Sequence, residues 1–324
     1  AAPIEREALT DECEILVVGA GFAGLLLWYK LRAAGFTDVR FCEKGGDVGG
    51  TWYWNRYPGI ACDVESYSYL PLLEEMEYFP TMKFASGFEI LEYCQKMAEK
   101  YGFYDRCLFH TTVGETTWDE AAGRWTVTTD RGDKMRARYV VLANGILTTP
   151  RLARIDGMET YQGDAFHTSR WDYNVDLKDR RVGIIGTGAT AVQAIPELAK
   201  IVKELYVFQR TPSSVDVRNN AETDPLWAES LEPGWQRDRQ KKFGEAFLGG
   251  PIDPAFVDDG WTRLTRNLKD LVAQSEERIS GLAQIADFKT METIRGLVDD
   301  TVKDPEVAEK LKAYYNQFCK RPTF

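Results

Sequence analysis

Apolar and polar positions divide this chain into short runs with distinct periods. EILVV at 14–18, apolar from Ile15 to Val18, reads as a buried strand, and a helical pattern follows it from Phe22 towards Ala34. VRFCEK supplies a second strand. EILEYCQKMAEKYG at 89–102 sets Ile90, Leu91, Cys94, Met97 and Ala98 at helical spacing and stops at Gly102, which predicts a packing helix. From Leu108 the pattern changes to alternation around glycine-containing turns. It predicts a small antiparallel meander and then a buried strand, YVVLANG, returning to the parent sheet. His110, inside that meander, reads as structural. RRVGIIGTGATAVQAIPELAK repeats the strand–turn–helix plan, and VKELYVFQRT supplies its second strand. Beyond Asp216 helical spacing dominates, with Pro225, Pro233, Pro251, Pro254 and Pro305 as breaks. LTRNLKDLVAQSEERISGLAQI and PEVAEKLKAYYNQF read as amphipathic surface or lid helices. Strands alternating with helices predict an α/β protein.

The two strand–helix joints carry the chemistry. The first is GAGFAG, in which Gly19 permits a tight turn, Gly21 lets backbone approach a pyrophosphate, and Gly24 lets helix and strand pack closely. Glu43 ends the next strand at 43 − 19 = 24 residues, where an acid accepts hydrogen bonds from a ribose 2′-hydroxyl. The second joint is GTGATA, with Gly186, Gly188 and the small Ala191. At 210 − 186 = 24 residues it carries Arg210, followed by Thr211. An acid there would repel a 2′-phosphate, whereas arginine pairs with one through two hydrogen bonds. The pattern predicts two Rossmann-like dinucleotide-binding domains, FAD in the first and NADPH in the second, with a helical insertion. Boundaries fall at 1–149, 150–221 and 222–324, TTPRLARIDG being the linker.

Between these joints GGDVGGTWYWNRYPGIACDVESYSY is too long and too aromatic for a simple connection. Its glycines, Gly50 among them, let backbone approach a ligand, and Trp52, Trp54 and Tyr57 offer flat surfaces to a ring system.

Composition narrows the class. A chain of 324 residues with 44% apolar residues fills two domain cores, and a net charge of −10 disfavours a nucleic-acid or anionic-membrane partner. No apolar run approaches the ~20 residues of a membrane span. The opening AAPIEREALTDE lacks the layout of a signal peptide, and six scattered cysteines without a C-x-x-C pair read as reduced thiols of a cytoplasmic protein. The chain therefore lacks the dithiol a disulfide reductase sets beside its flavin. No metal centre is expected from two histidines.

The segment YQGDAFHTSRWDY, Tyr161 to Tyr173, joins the two halves and fits [FY]-x-G-x-x-x-H-x-x-x-W-[PD]. It resembles the fingerprint of Baeyer–Villiger monooxygenases, with Tyr161 standing where Phe is more frequent. GGTWYWNRYPG resembles that family's flavin-contacting segment, and NQFCKRPTF resembles the segment carrying its active-site arginine. Asn144 departs from the Ala-Thr-Gly found at this point in many relatives. Tyr161, Gly163, His167 and Trp171 are assigned to coupling between domains rather than to chemistry, since His167 has no paired nucleophile.

The resemblance implies an NADPH- and oxygen-dependent flavin monooxygenase. NADPH reduces FAD, oxygen adds to flavin C4a, and the peroxyflavin converts a ketone to an ester or lactone. It also implies that Arg321 is catalytic with Asp63 as its partner, that Gly50, Thr51, Trp52, Trp54, Tyr69 and Val113 contact FAD, and that Lys320 reaches the NADPH 2′-phosphate. The chain corresponds to about three-fifths of a family member, from its N-terminal end. Two other readings remain at this point: a flavin monooxygenase acting on amines or sulfides, and a cofactor-binding piece without catalysis.

Overall fold

The computed structural model describes residues 5–147, 149–248, 250, 260–261, 269–270, 279–315 and 323. It divides into two units, 1–56 with 87–172 and 57–86 with 173–324. The boundaries expected from sequence do not coincide with this division. Residues 57–86 group with the second unit, and the linker as far as Asp172 groups with the first.

The first unit is built on a six-stranded sheet. β1 (Glu12–Val18) pairs in parallel with β2 (Val39–Cys42) on one side and β6 (Lys134–Leu142) on the other. β3 (Cys107–Leu108) extends the parallel part beyond β2, while β4 (Val113–Asp119) and β5 (Arg124–Thr129) form the antiparallel meander beyond β6, in the order β3-β2-β1-β6-β5-β4. The β1–β2 crossover is α1 (Phe22–Ala33), and a longer helix spans Gly87–Lys100. That helix buries Ile90, Cys94, Met97 and Ala98 as its spacing predicts, but it buries Tyr93 as well and leaves Leu91 only half-buried. Phe41 joins the layers: Trp28 of α1 meets it edge-on at 6.4 Å and Phe103 lies at 4.5 Å.

β6 differs from expectation. A single strand pairs antiparallel with β5 and parallel with β1, so meander and return strand are one element. Its end is not buried: Tyr139 is 48% and Leu142 70% exposed. An apolar run reports the capacity to be buried, and burial itself needs a covering neighbour.

Arg6 fastens the N-terminal segment to the meander. Its Nη1 and Nη2 donate to the two oxygens of Asp133 at 2.6 and 2.7 Å, and Leu9 N and Thr129 Oγ1 donate to the same carboxylate. The Asp133 side chain is fully enclosed. Arg6, by its hydrogen bonds, holds this carboxyl well below the usual carboxylate range.

In the second unit β7 (Arg181–Ile185) and β8 (Glu204–Phe208) form a parallel pair joined by a helix over Ala189–Ala199. Further helices span Pro225–Glu229, Trp235–Phe247, Ile279–Thr301 and Pro305–Leu311. Pro225 and Pro305 begin helices rather than break them. Asp224 and Asp304 cap the first turns, and a proline just after the cap has no N–H to leave unsatisfied. Of the first predicted amphipathic segment, 264–285, only 269–270 and 279–285 are described, whereas the second, 305–318, is described as far as Tyr315 and contains the helix Pro305–Leu311. Among the described residues no helix is long and apolar enough to cross a membrane.

Candidate functional site

The two glycine turns are the same device built twice. Gly19 and Gly186 have φ of +111° and +108°, a region that favours glycine. Gly19 N donates to Cys42 O at 2.9 Å and Gly186 N to Phe208 O at 2.8 Å, so each turn is tied to the end of its second strand. Gly21 and Gly188 then open their helices in matching extended conformations. A helix that starts in this way turns its first backbone N–H groups towards the place a pyrophosphate would take.

Their surroundings differ. A Cβ on Gly19 would stand 2.4 Å from Ala143 O, one on Gly24 would stand 2.2 Å from Gly19 O, and one on Gly50 would stand 2.9 Å from Gly21 Cα. The first turn is therefore a cradle that a methyl group would fill. Among the described residues Gly186 and Gly188 have nothing within 4 Å of such a Cβ, and Ala191 is buried where the first unit has Gly24.

The strand ends differ too. Glu43 is buried and its carboxylate accepts from Ala20 N at 2.8 Å and from Gly45 N at 2.7 Å. It ties the glycine turn to the loop that follows, and each oxygen retains lone-pair capacity for a hydroxyl donor. Because Gly19 N pairs with Cys42 and Gly186 N with Phe208, Glu43 corresponds to Gln209 and not to Arg210. Equal spacing along the sequence is thus one residue out in space: the acid is replaced by a neutral amide, and the cation comes next. Arg210 is exposed and makes no hydrogen bond or ion pair among the described residues. Thr211 O accepts from Thr187 Oγ1 at 3.3 Å, beside the turn.

The aromatic stretch after the first turn folds back on it. Gly49 N donates to Ala20 O at 3.0 Å, and Gly50 at φ +52° leads into a single helical turn over Thr51–Trp54. Thr51 is exposed and Trp52 buried. Trp54 carries the Arg170 guanidinium 3.9 Å above its ring centroid, a cation–π contact that sequence spacing did not reveal. Val113 packs against the core cluster of Cys13, Leu16 and Met135. In the linker, the Tyr161 ring lies over Gly163, where a Cβ would come within 2.5 Å of its hydroxyl. His167 caps the turn Thr168–Arg170, its Nδ1 accepting from Ser169 N at 3.1 Å, and Trp171 meets Phe166 edge-on at 5.2 Å. An Nδ1 that accepts an N–H leaves a neutral ring's proton on Nε2.

Asp63 and Tyr69 lie in the second unit, on the 57–86 segment. Cys62 N donates to Ala85 O at 3.0 Å, Arg218 Nη1 donates to Cys62 O at 3.3 Å, and Trp261 Nε1 donates to Asp63 O at 3.1 Å. Burial lowers the Arg218 pKa from its ordinary value, and the Asp63 charge opposes that shift. Downstream, Arg239 Nε and Nη2 donate to the two oxygens of enclosed Glu65. The Arg239 guanidinium also lies 5.2 Å from the Tyr67 ring centroid and 5.3 Å from that of Trp227. Buried Gln236 donates to Tyr67 O and Leu70 O and accepts from Leu73 N, while Glu74 accepts from Gly234 N and Gln236 N. Upstream, Gln193 binds the backbone of Ala61 and the Tyr57 hydroxyl. Sequence reading missed these anchors because their partners lie more than a hundred residues away.

Lys320 and Arg321 lie outside the described residues. Thr323, two residues beyond Arg321, donates through its N–H to Ser214 O at 2.9 Å and bridges to Val215. Cys13, Cys42, Cys62 and Cys94 are buried unpaired thiols. Burial pushes those of Cys42 and Cys62 up to about 12, which suits packing and not reaction.

Residues 16–244 match the family model described as pyridine nucleotide-disulphide oxidoreductase. The neopentalenolactone D synthase of Streptomyces avermitilis is 50% identical over 100% of this chain and 57% of its own length. A Baeyer-Villiger monooxygenase of Streptomyces coelicolor is 45% identical over 98% of this chain and 55% of its own length. Among solved structures, a polycyclic ketone monooxygenase from the thermophilic fungus Thermothelomyces thermophila superposes with a TM-score of 0.90 at 40% identity, covering 100% of this chain and 57% of that one. The chain spans little more than half the length of these relatives.

Proposed function

The chain belongs to the pyridine nucleotide-disulphide oxidoreductase family and, within it, to the Baeyer–Villiger monooxygenases, and from that premise we propose that it carries the two cofactor sites of an NADPH- and oxygen-dependent ketone monooxygenase. The observation that carries this reading is the pair of matching glycine turns with different strand ends: a buried carboxylate after the first, and after the second an exposed guanidinium with no partner among the described residues. The first turn's cradle, its helix start and Glu43 fit the pyrophosphate and ribose of FAD. The second turn, Arg210, Thr211 and Lys320 fit NADPH, with Arg210 pairing the 2′-phosphate.

FAD supplies oxygen activation and NADPH the reducing equivalents. In this reading Trp52, Trp54 and Tyr69 belong to the flavin-contacting set, and Gly50, Thr51 and Val113 complete it. Asp63 holds the Arg321 guanidinium, whose positive charge stabilises negative charge developing where the ketone carbonyl is attacked. Tyr161, Gly163, His167 and Trp171 couple the two dinucleotide domains, placed at 1–149 and 150–221, with the helical insertion following. The substrates are a small-molecule ketone and O2, with no nucleic acid or membrane partner. A cytoplasmic location suits the unpaired buried thiols.

The test uses the full-length protein loaded with FAD, reduced anaerobically with NADPH and mixed with ¹⁸O2 and a panel of ketones. One labelled oxygen in an ester or lactone is the expected result. Stoichiometric hydrogen peroxide with no labelled ester across the panel overturns the reading, and labelled N- or S-oxides from amines or sulfides, with no ester, replace it with the heteroatom alternative.

A further inference from the structure

One side chain joins the helix of the second glycine turn to the segment that carries Asp63. Gln193 lies on the helix Ala189–Ala199, five residues after Gly188. Its Oε1 accepts from the Tyr57 hydroxyl at 2.8 Å and from Ala61 N at 3.3 Å, and its Nε2 donates to Ala61 O at 3.0 Å. A carboxamide that both accepts from and donates to the same residue's main chain substitutes for a strand partner, and it fixes that residue in position and orientation. The helix and the segment also touch directly. Gly59 has φ +78°, and a Cβ there would stand 2.4 Å from Gln193 O. From Ala61 the chain reaches Asp63 in two residues, so little slack separates the amide from the carboxylate.

We propose that Gln193 is a positioning residue: it holds the Asp63 segment in register with the second glycine turn, so that a nicotinamide dinucleotide seated at the helix start also orders residues 57–63. The proposal rests on the reading of that turn as the NADPH site. Cys62, between Ala61 and Asp63, is held separately by Ala85 and Arg218. The link gives the nicotinamide cofactor and Asp63 a common frame, which matters because misplacement of about 1 Å in a reacting assembly costs on the order of a hundredfold in rate.

The experiment is hydrogen–deuterium exchange of peptides covering 57–66 in the full-length, FAD-loaded protein, with and without NADP⁺, alongside NADP⁺ dissociation constants. Wild type is compared with Gln193→Met, which fills the same space without hydrogen bonds, and Gln193→Glu, which keeps both acceptor bonds and loses the donor. NADP⁺ is expected to slow exchange at Ala61 and Cys62 in wild type by roughly threefold or more. Gln193→Met is expected to bind NADP⁺ within about threefold of wild type, to exchange there about fivefold faster, and to show no response to NADP⁺. Gln193→Glu retains part of the response, and it carries the comparison if the methionine variant fails to fold. An undiminished response in both variants, or no response in wild type with NADP⁺ bound, overturns the proposal. If wild type does not bind NADP⁺, the assignment of the second turn fails first and the proposal falls with it, which the dissociation constants reveal separately.

Discussion

Arg239 Nε and Nη2 meet the two oxygens of Glu65 at 2.6 and 2.8 Å, with the glutamate side chain wholly enclosed and Tyr67 and Trp227 beside the guanidinium. Glu65 is two residues from Asp63, so this pair fixes the far side of the segment that Gln193 fixes on the near side. Removing one partner strands a buried charge. Arg239→Ala is expected to cost about 3–5 kcal/mol, and Arg239→Ala/Glu65→Gln less than the two single changes together. Urea unfolding of the four proteins as a double-mutant cycle measures it, and additive losses would mean that the pair is not coupled.

The two glycine turns should respond differently to a single methyl group. Gly24→Ala drives a Cβ to 2.2 Å from Gly19 O and is expected to destabilise the protein by about 3 kcal/mol. Gly188→Ala meets nothing within 4 Å among the described residues and is expected to cost less than about 1 kcal/mol in stability. It should still weaken NADP⁺ binding, since the methyl occupies the space a pyrophosphate needs. Thermal melts and NADP⁺ titrations together separate the two outcomes.

On the proposed reading, Arg210 is the residue that distinguishes the two nicotinamide cofactors. Removing a charged pair to a phosphate costs about 1.5–3 kcal/mol, or roughly 10- to 100-fold. Arg210→Ala is therefore expected to raise the NADPH KM by that factor while leaving the NADH KM within about twofold. Equal effects on both cofactors would remove Arg210 from the 2′-phosphate site.

Acid sensitivity is expected at the clasp between Arg6 and Asp133. The Asp133 carboxyl titrates near 3.9 when unfolded and well below that when folded. Its stabilisation is complete above the unfolded value and is lost as pH falls towards the folded one. Asp133→Asn should thus be less stable than wild type at neutral pH, and the gap should narrow below about pH 4. Urea midpoints across that range test the sign.

What the sequence disclosed follows from the range of the forces. Gly19, Gly24 and Gly186 were legible because a turn and its helix are decided within a few residues. The stripe Ile90, Cys94, Met97 and Ala98 was legible because helical periodicity is local, whereas buried Tyr93 was not expected and Leu91 is only half-buried. Pro225 and Pro305 were misread as breaks because a proline ends one helix and starts another with the same ring, and only the capping aspartate before it distinguishes the two. The offset between Glu43 and Arg210 misled by one residue because spacing counts residues, whereas strands are aligned by hydrogen bonds. Gln193, Gln236 and Arg239 were invisible. Each is an ordinary polar residue on a helix until its partner, brought from 132 to 174 residues away, arrives beside it.

The chain passes between its two units at residues 56, 86 and 172. On the ribosome, the stretch 57–86 emerges first among residues of the other unit, and the side chains that will enclose Tyr67, Leu70 and Phe84 are synthesised only later. Arg239 follows Ser86 by 239 − 86 = 153 residues, a wait on the order of ten seconds at ordinary translation speeds. During that wait the stretch lacks the side chains that bury it, and exposed apolar surface of this kind is what chaperones and proteases act on. Codon choice between residues 87 and 239, which changes no amino acid, therefore becomes a variable in the yield of folded protein.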